Sequence, residues 1–194
     1  RRSATTMGVL LAAFGVLGLP QAAVGQAGAT IALSDGTNIE NFDQAGNANW
    51  RVAERTIAAD HGNGFLVTKQ SYGDFKLRAE IWVDDIANSG IFIRCDNPQQ
   101  PGADTCYEVN VWDTRPDPTY GTGSIVNVAP VNPMPKAGLN WNVMEIEARG
   151  RQLPVTFNGK QTVSVRDTMH ARGRIALQYG QGVVRWRKID ITPQ

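Results

Sequence analysis

The segment Tyr107-Glu-Val-Asn-Val-Trp-Asp113 sets a carboxylate, an amide and an indole at a spacing of two, with a second carboxylate at its end. In an extended strand that spacing puts Glu108, Asn110 and Trp112 on one face. Glycosidic cleavage commonly uses two carboxyl groups, one as acid and one as base or nucleophile. Glu80, Glu108 and Asp113 are the candidates, with Glu145 and Glu147 behind them. Glu108 ranks first because it lies mid-strand beside Asn110 and Trp112. Asp113 ends the strand and could equally cap a turn.

The same residue types recur on other strand faces. Arg78, Glu80 and Trp82 alternate with the apolar side of one strand, Phe92 and Arg94 with that of another, and Gln178 belongs to a further strand. Planar polar groups can grip vicinal hydroxyls in pairs, and indoles can stack on the apolar face of a sugar ring. The alternative is a ladder of cross-strand ion pairs on a solvated face.

Other chemistry is thinly represented. His61 and His170 both sit in turn-like sequence and read as solvated loop residues. No nucleophile elbow, phosphate-binding loop or dinucleotide fingerprint is present. The stretches "DNPQQPGAD" and "DTRPDP" could supply oxygens to calcium, but no metal or other cofactor is indicated. Cys95 and Cys106 flank a segment rich in Pro, Gly, Asn and Asp and are expected to pair in an oxidising compartment. Such a bridge is worth about 3 kcal/mol on the loop-entropy view.

The elements that must position these groups are strands. "FKLRAEIWV" (75–83) alternates strictly, and "GIFIRC", "YEVNVWD", "NVMEIEAR", "GRIALQYG" and "VVRWRKIDI" follow. "LPVTFNGKQTVSV" folds back on itself at Asn158-Gly159, a hairpin signal. No helical period persists beyond the N-terminal stretch. Short strands separated by turns predict an all-β sandwich or jelly roll. Residues 115–138 form a long connection of the kind that is usually functional or disordered.

The N-terminal stretch has two arginines, an apolar run from Met7 to Leu19, then small residues. That is the layout of a secretory signal, expected over residues 1–25 or as far as 29, with an uncleaved anchor as the alternative. Residues 30–194 then form one domain, periplasmic or secreted, with no stable membrane span once the signal is removed. Loss of Arg1 and Arg2 takes the net charge from +1 to −1, with 17 Lys and Arg against 18 Asp and Glu. A near-neutral domain has no electrostatic footprint for nucleic acid. The expected partner is a sugar or glycoside.

In order, "DGTNIENF", "GNGFLVTKQSYGDFKLRAEIWV", "NSGIFIR", "YEVNVWD", "NWNVMEIEARG", "FNGK", "GRIALQYG" and "WRKIDI" resemble the 3-keto-disaccharide hydrolase family. The resemblance spans roughly residues 33–191. It implies a concanavalin-like jelly roll of two antiparallel sheets and an extracytoplasmic bacterial enzyme that cleaves 3-keto disaccharides or glycosides. A ketone at C3 acidifies the proton on C2. The resemblance implies Glu108 as acid and base, Arg94 as holder of the enediolate oxygen, and Trp82 and Trp112 as the sugar platform. It also puts Arg94 on the ligand-binding face, with Cys95 pointing the other way. A noncatalytic carbohydrate-binding module on the same fold is the other reading. Many family members carry a histidine shortly after the Leu-Gln pair. This chain has Gln178-Tyr179-Gly180 there, which implies either an inactive protein or one that uses Tyr179 or another group instead.

Overall fold

The computed structural model describes residues 28–194, so the expected export segment lies outside the described residues. Thirteen strands succeed one another among them: β1 (Ile31–Ser34), β2 (Phe42–Gly46), β3 (Arg51–Ala53), β4 (Thr56–Ala59), β5 (Gly64–Thr68), β6 (Phe75–Val83) and β7 (Asn88–Cys95). They continue as β8 (Tyr107–Val111), β9 (Trp141–Ala148), β10 (Gln152–Phe157), β11 (Lys160–Arg166), β12 (Arg174–Gln181) and β13 (Val184–Pro193), with one 3-10 turn at Pro118–Tyr120. The hairpin expected at Asn158-Gly159 forms between β10 and β11, both turn residues having positive φ.

Two antiparallel sheets result. One runs β11-β10-β9-β6-β13-β4-β3, with β1 also on β13, and the other runs β2-β5-β12-β7-β8. Apolar positions of both sheets meet between them. Leu77, Ile81, Met144, Ile146 and Trp186 come from the larger sheet, and Leu66, Ile91, Tyr107, Val109 and Leu177 from the smaller. This is the jelly-roll β-sandwich that the alternation implies.

The long connection after β8 is not structureless. Backbone bonds from Asn110 N to Ser124 O (3.1 Å), Gly123 N to Asn110 O (2.8 Å) and Val126 N to Glu108 O (3.0 Å) lay residues 123–126 along the free edge of β8. Ile125 joins the core opposite Val109. An otherwise open strand edge is thereby covered.

Strand β7 carries one extra residue. Ala176 pairs with Phe92 and Arg174 with Cys95, so two residues of β12 span three of β7. This is a β-bulge, and Arg94 takes up the strain with φ of +53°. Gly173 makes it possible: a Cβ there would lie 2.4 Å from the Arg94 carbonyl carbon.

Candidate functional site

The expected site residues divide between opposite surfaces of the sandwich. Arg78, Glu80 and Trp82 lie on β6, in the larger sheet, whereas Glu108, Asn110 and Gln178 lie in the smaller. All point away from the core, so the core separates the two groups. Alternation assigns residues to a face of their own strand, but not strands to a sheet.

On the larger sheet's outer face the charges are mutually satisfied. Glu80 accepts from Arg78 Nη1 (2.8 Å) and Arg187 Nε (2.6 Å). The Arg78 hydrogen bond, then that of Arg187, hold its carboxyl below its ordinary value against the opposing effect of burial. Arg185 lies 5.2 Å from the Trp82 ring centre and Arg187 4.1 Å from that of Trp141. Glu147 pairs with Lys76, and Glu145 stands opposite Arg78. A groove of about 510 Å³, lined by Lys76, Arg78, Glu145, Glu147 and Asp190 among others, lies on this face. Its cross-strand ion pairs match the solvated-ladder alternative. Four buried polar atoms without a partner gather on the outer face of the other sheet, and the candidate site is placed there.

Two cross-strand rows build that face. Phe65, Gln178, Gly90 and Asn110 stand side by side on β5, β12, β7 and β8, and Ser124 prolongs the row. The next row is Val67, Ala176, Phe92 and Glu108. Asn88 shares the face, two residues before Gly90, and a Cβ on Gly180 would sit 3.0 Å from its Nδ2. Asn88 Oδ1, Asn110 Oδ1, Gln178 Oε1 and Ser124 Oγ are all buried without a hydrogen-bond partner. Each such atom costs about 1–3 kcal/mol, so four together on one face make it the candidate for a polar ligand. The three amide oxygens accept and the serine hydroxyl can do either, which suits a ligand rich in hydroxyl donors. Gly90 puts no side chain between Gln178 and Asn110, and its backbone lies so close to β8 that a Cβ would meet Val109 O at 2.7 Å.

Glu108 is the ionisable group of these rows. Burial pushes its carboxyl up from 4.5 to about 7, and the Arg115 charge only partly offsets that rise. A carboxyl poised near neutrality can both take and return a proton. Half-buried Phe65 meets Phe92 edge to face at 5.1 Å and supplies the aromatic surface next to Gln178.

Arg94 is elsewhere. It is 1% exposed, and its guanidinium donates to Gly73 O, Gly150 O, His170 O and Asp74 Oδ1. It straps three loops together at one end of the sandwich and leaves no edge for a ligand. The bulge explains the reversal. Arg94 turns inward, and Cys95 instead joins Phe92, Val67, Ala176 and Cys106 on the Glu108 side. The Cys95–Cys106 bridge forms as expected.

Asp113 is likewise saturated. It accepts from Thr122 Oγ1 (2.6 Å), Ala137 N (2.8 Å) and Gly138 N (3.0 Å), which fixes both ends of the long connection. That is the turn-capping alternative. Trp112 follows directly on β8, with Arg115 5.4 Å from its ring centre. His61 is exposed, but His170 is buried, with Nδ1 2.5 Å from Asp96 Oδ2 and its ring edge-on to Tyr107. Tyr179 points into the core and donates to Gly182 O. Gly180 therefore takes the outward position two residues beyond Gln178.

Sequence reasoning did not single out Phe65, Asn88, Gly90, Arg115 or Ser124. The alternation in Gly-Phe-Leu-Val-Thr (64–68) could have found Phe65, and Gly-Ser-Ile-Val (123–126) held the edge strand. Among the described residues no group of three or more His, Cys, Asp or Glu side chains is placed to hold a metal ion. No helix among them is long and apolar enough to cross a membrane.

Comparison with known proteins places the fold. No curated protein matches the chain in sequence. Two candidate glycosyl hydrolases from Parabacteroides distasonis share the fold. One is 20% identical, with a TM-score of 0.72 over 86% of this chain and 100% of that one. The other is 14% identical, with a TM-score of 0.76 over 85% and 94%. A carbohydrate-binding module from Bacillus subtilis is 14% identical, with a TM-score of 0.55 over 79% and 92%. At these identities the likeness is one of fold, and that fold is shared by hydrolase-like and carbohydrate-binding proteins. Family membership rests on the sequence itself: residues 29–192 match the 3-keto-alpha-glucoside-1,2-lyase-like domain, and the chain belongs to that family.

Proposed function

We propose that this chain is an exported enzyme that cleaves the glycosidic bond of a 3-keto glycoside, with Glu108 as its acid and base. The observation that carries the reading is Glu108 itself, a carboxyl raised to about 7 beside a row of unbonded amide oxygens. The Cys95–Cys106 bridge is in keeping with an oxidising compartment.

The chemistry follows from the ketone. The Glu108 carboxylate takes the proton from C2, and the C–H electron pair forms C2=C3 while the C3 oxygen gains negative charge. That pair then forms C1=C2 as C3=O returns and the C1–O bond breaks. The departing oxygen takes the proton back from Glu108. Water adding to C1 afterwards yields the free 3-keto sugar. Asn88, Asn110, Gln178 and Ser124 hold the sugar hydroxyls, and Phe65 faces its apolar side.

The test is incubation of the full chain, and of Glu108→Gln, with 3-keto-trehalose, following products by NMR. Turnover by the wild type and a loss of at least about a hundredfold in the folded variant is the expected result. Equal turnover by both removes Glu108 from the mechanism. A noncatalytic carbohydrate-binding module is the second reading, favoured by the lone carboxylate in these rows and by Gly180 in place of an ionisable group. Saturable binding of the sugar with no turnover would select it.

A further inference from the structure

Deprotonation at C2 sends charge onto the C3 oxygen, and a site that performs it needs a donor aimed there. Arg94 cannot serve, because every edge of its guanidinium is spent on loop carbonyls and Asp74. We propose that Arg115 is the catalytic cation of this site, binding the C3 oxygen as it becomes an enolate; the proposal rests on the reading of Glu108 as the base.

Arg115 is a cation left free beside the base. Arg51, Arg78, Arg94, Arg174, Arg185 and Arg187 each lie within 4 Å of a carboxylate. Among the described residues Arg115 has no such partner. Its Nε is buried without an acceptor, so one edge of the fork awaits an oxygen. It is also the charge that opposes the desolvation of Glu108, yet no ion pair joins them. The base and the cation are each without an ion-pair partner, and the charge of one is felt by the other, which is the arrangement a shared substrate atom needs.

The fold holds Arg115 in place from both sides. The Trp112 ring lies beneath the guanidinium, with 5.4 Å from Cζ to the ring centre. Two residues upstream, Asp113 pins the backbone to Thr122, Ala137 and Gly138. Asp113 is thus a positioning residue for Arg115. Asp117 also feels the Arg115 charge, but it is solvent-exposed and already accepts from Thr119.

The experiment compares wild type, Glu108→Gln, Arg115→Gln and Arg115→Lys on 3-keto-trehalose, with folding checked by circular dichroism. Arg115→Gln is expected to lower kcat by about a hundredfold or more while changing KM little. Added guanidinium ion should restore part of that loss, and Arg115→Lys should retain part of the rate. The lower inflection of the kcat/KM pH profile should move upward in Arg115→Gln, since a positive charge beside Glu108 has been removed. Arg115→Gln at near wild-type kcat, or a loss confined to KM, overturns the proposal while Glu108 stands. Absence of turnover by the wild type overturns the reading of Glu108 and this proposal with it.

Discussion

Gln178 and Asn110 flank Gly90 in one cross-strand row, and a buried oxygen of each bonds to nothing in the protein. Two amides thus stand on either side of a residue without a side chain, each with an unbonded acceptor. Glu108 lies two residues from Asn110 on the same strand face, so these acceptors neighbour a carboxyl raised to about 7.

Glu108 should make stability fall as the pH rises. In the folded chain it holds its proton to about pH 7, and in the unfolded chain to about 4.5. Between those values the folded state binds more protons. The Glu108 contribution is therefore fully present below 4.5 and is lost as the pH climbs through 7. Glu108→Gln removes this dependence. Relative to wild type, the variant should gain up to about 3 kcal/mol between pH 4 and pH 8. Urea denaturation at the two pH values measures it, and an equal difference at both would sink the idea.

Arg94 should matter to folding more than to chemistry. Arg94→Ala takes the donor from three loop carbonyls and from the partly exposed Asp74, at a cost of about 1–3 kcal/mol for each carbonyl left buried and unpaired. An unchanged denaturation midpoint would contradict the strap. So would a variant of wild-type stability that had lost turnover alone.

The bridge closes a loop between Cys95 and Cys106, eleven residues apart in sequence. Replacing both cysteines by alanine should cost about 2–4 kcal/mol. Because the bridge packs against Phe92 and Val67, beside the Glu108 row, the same variant should also lose turnover. Thermal melts and rates on one preparation separate the two effects.

Changes on the larger sheet should be quiet. Glu80→Gln and Trp82→Ala alter a charged ladder on the far side of the core from Glu108. Turnover should stay within about twofold, and loss of the partly exposed ion pairs should cost about 0–1 kcal/mol each. A hundredfold loss in either variant would move the site to the other sheet.

Period-two alternation was enough to read the strands from β6 onward, most of their buried faces, the hairpin at Asn158-Gly159 and the sandwich itself, while the short strands β1 to β5 went unread. Each depends on neighbours along the chain. The partition of strands between sheets does not. Trp82 and Trp112 look alike in sequence, yet β6 pairs with β9 and β13 while β8 pairs with β7. Arg94 eluded the pattern because one bulged residue breaks the alternation. Arg115 eluded it because no strand carries it; the loop pinned by Asp113 sets its place.

That bulge has a consequence for tracing descent. Arg94 behaves as a one-residue insertion in an otherwise regular ladder. Remove it, and Ile93 falls opposite Ile175 while Cys95 still meets Arg174. A relative without the extra residue should therefore align only with a gap at this point. Matching residue to residue straight through "IFIRC" would set an outward-facing side chain of that relative against the inward strap of this one, and their arginines could coincide in the alignment while serving opposite sides of the wall.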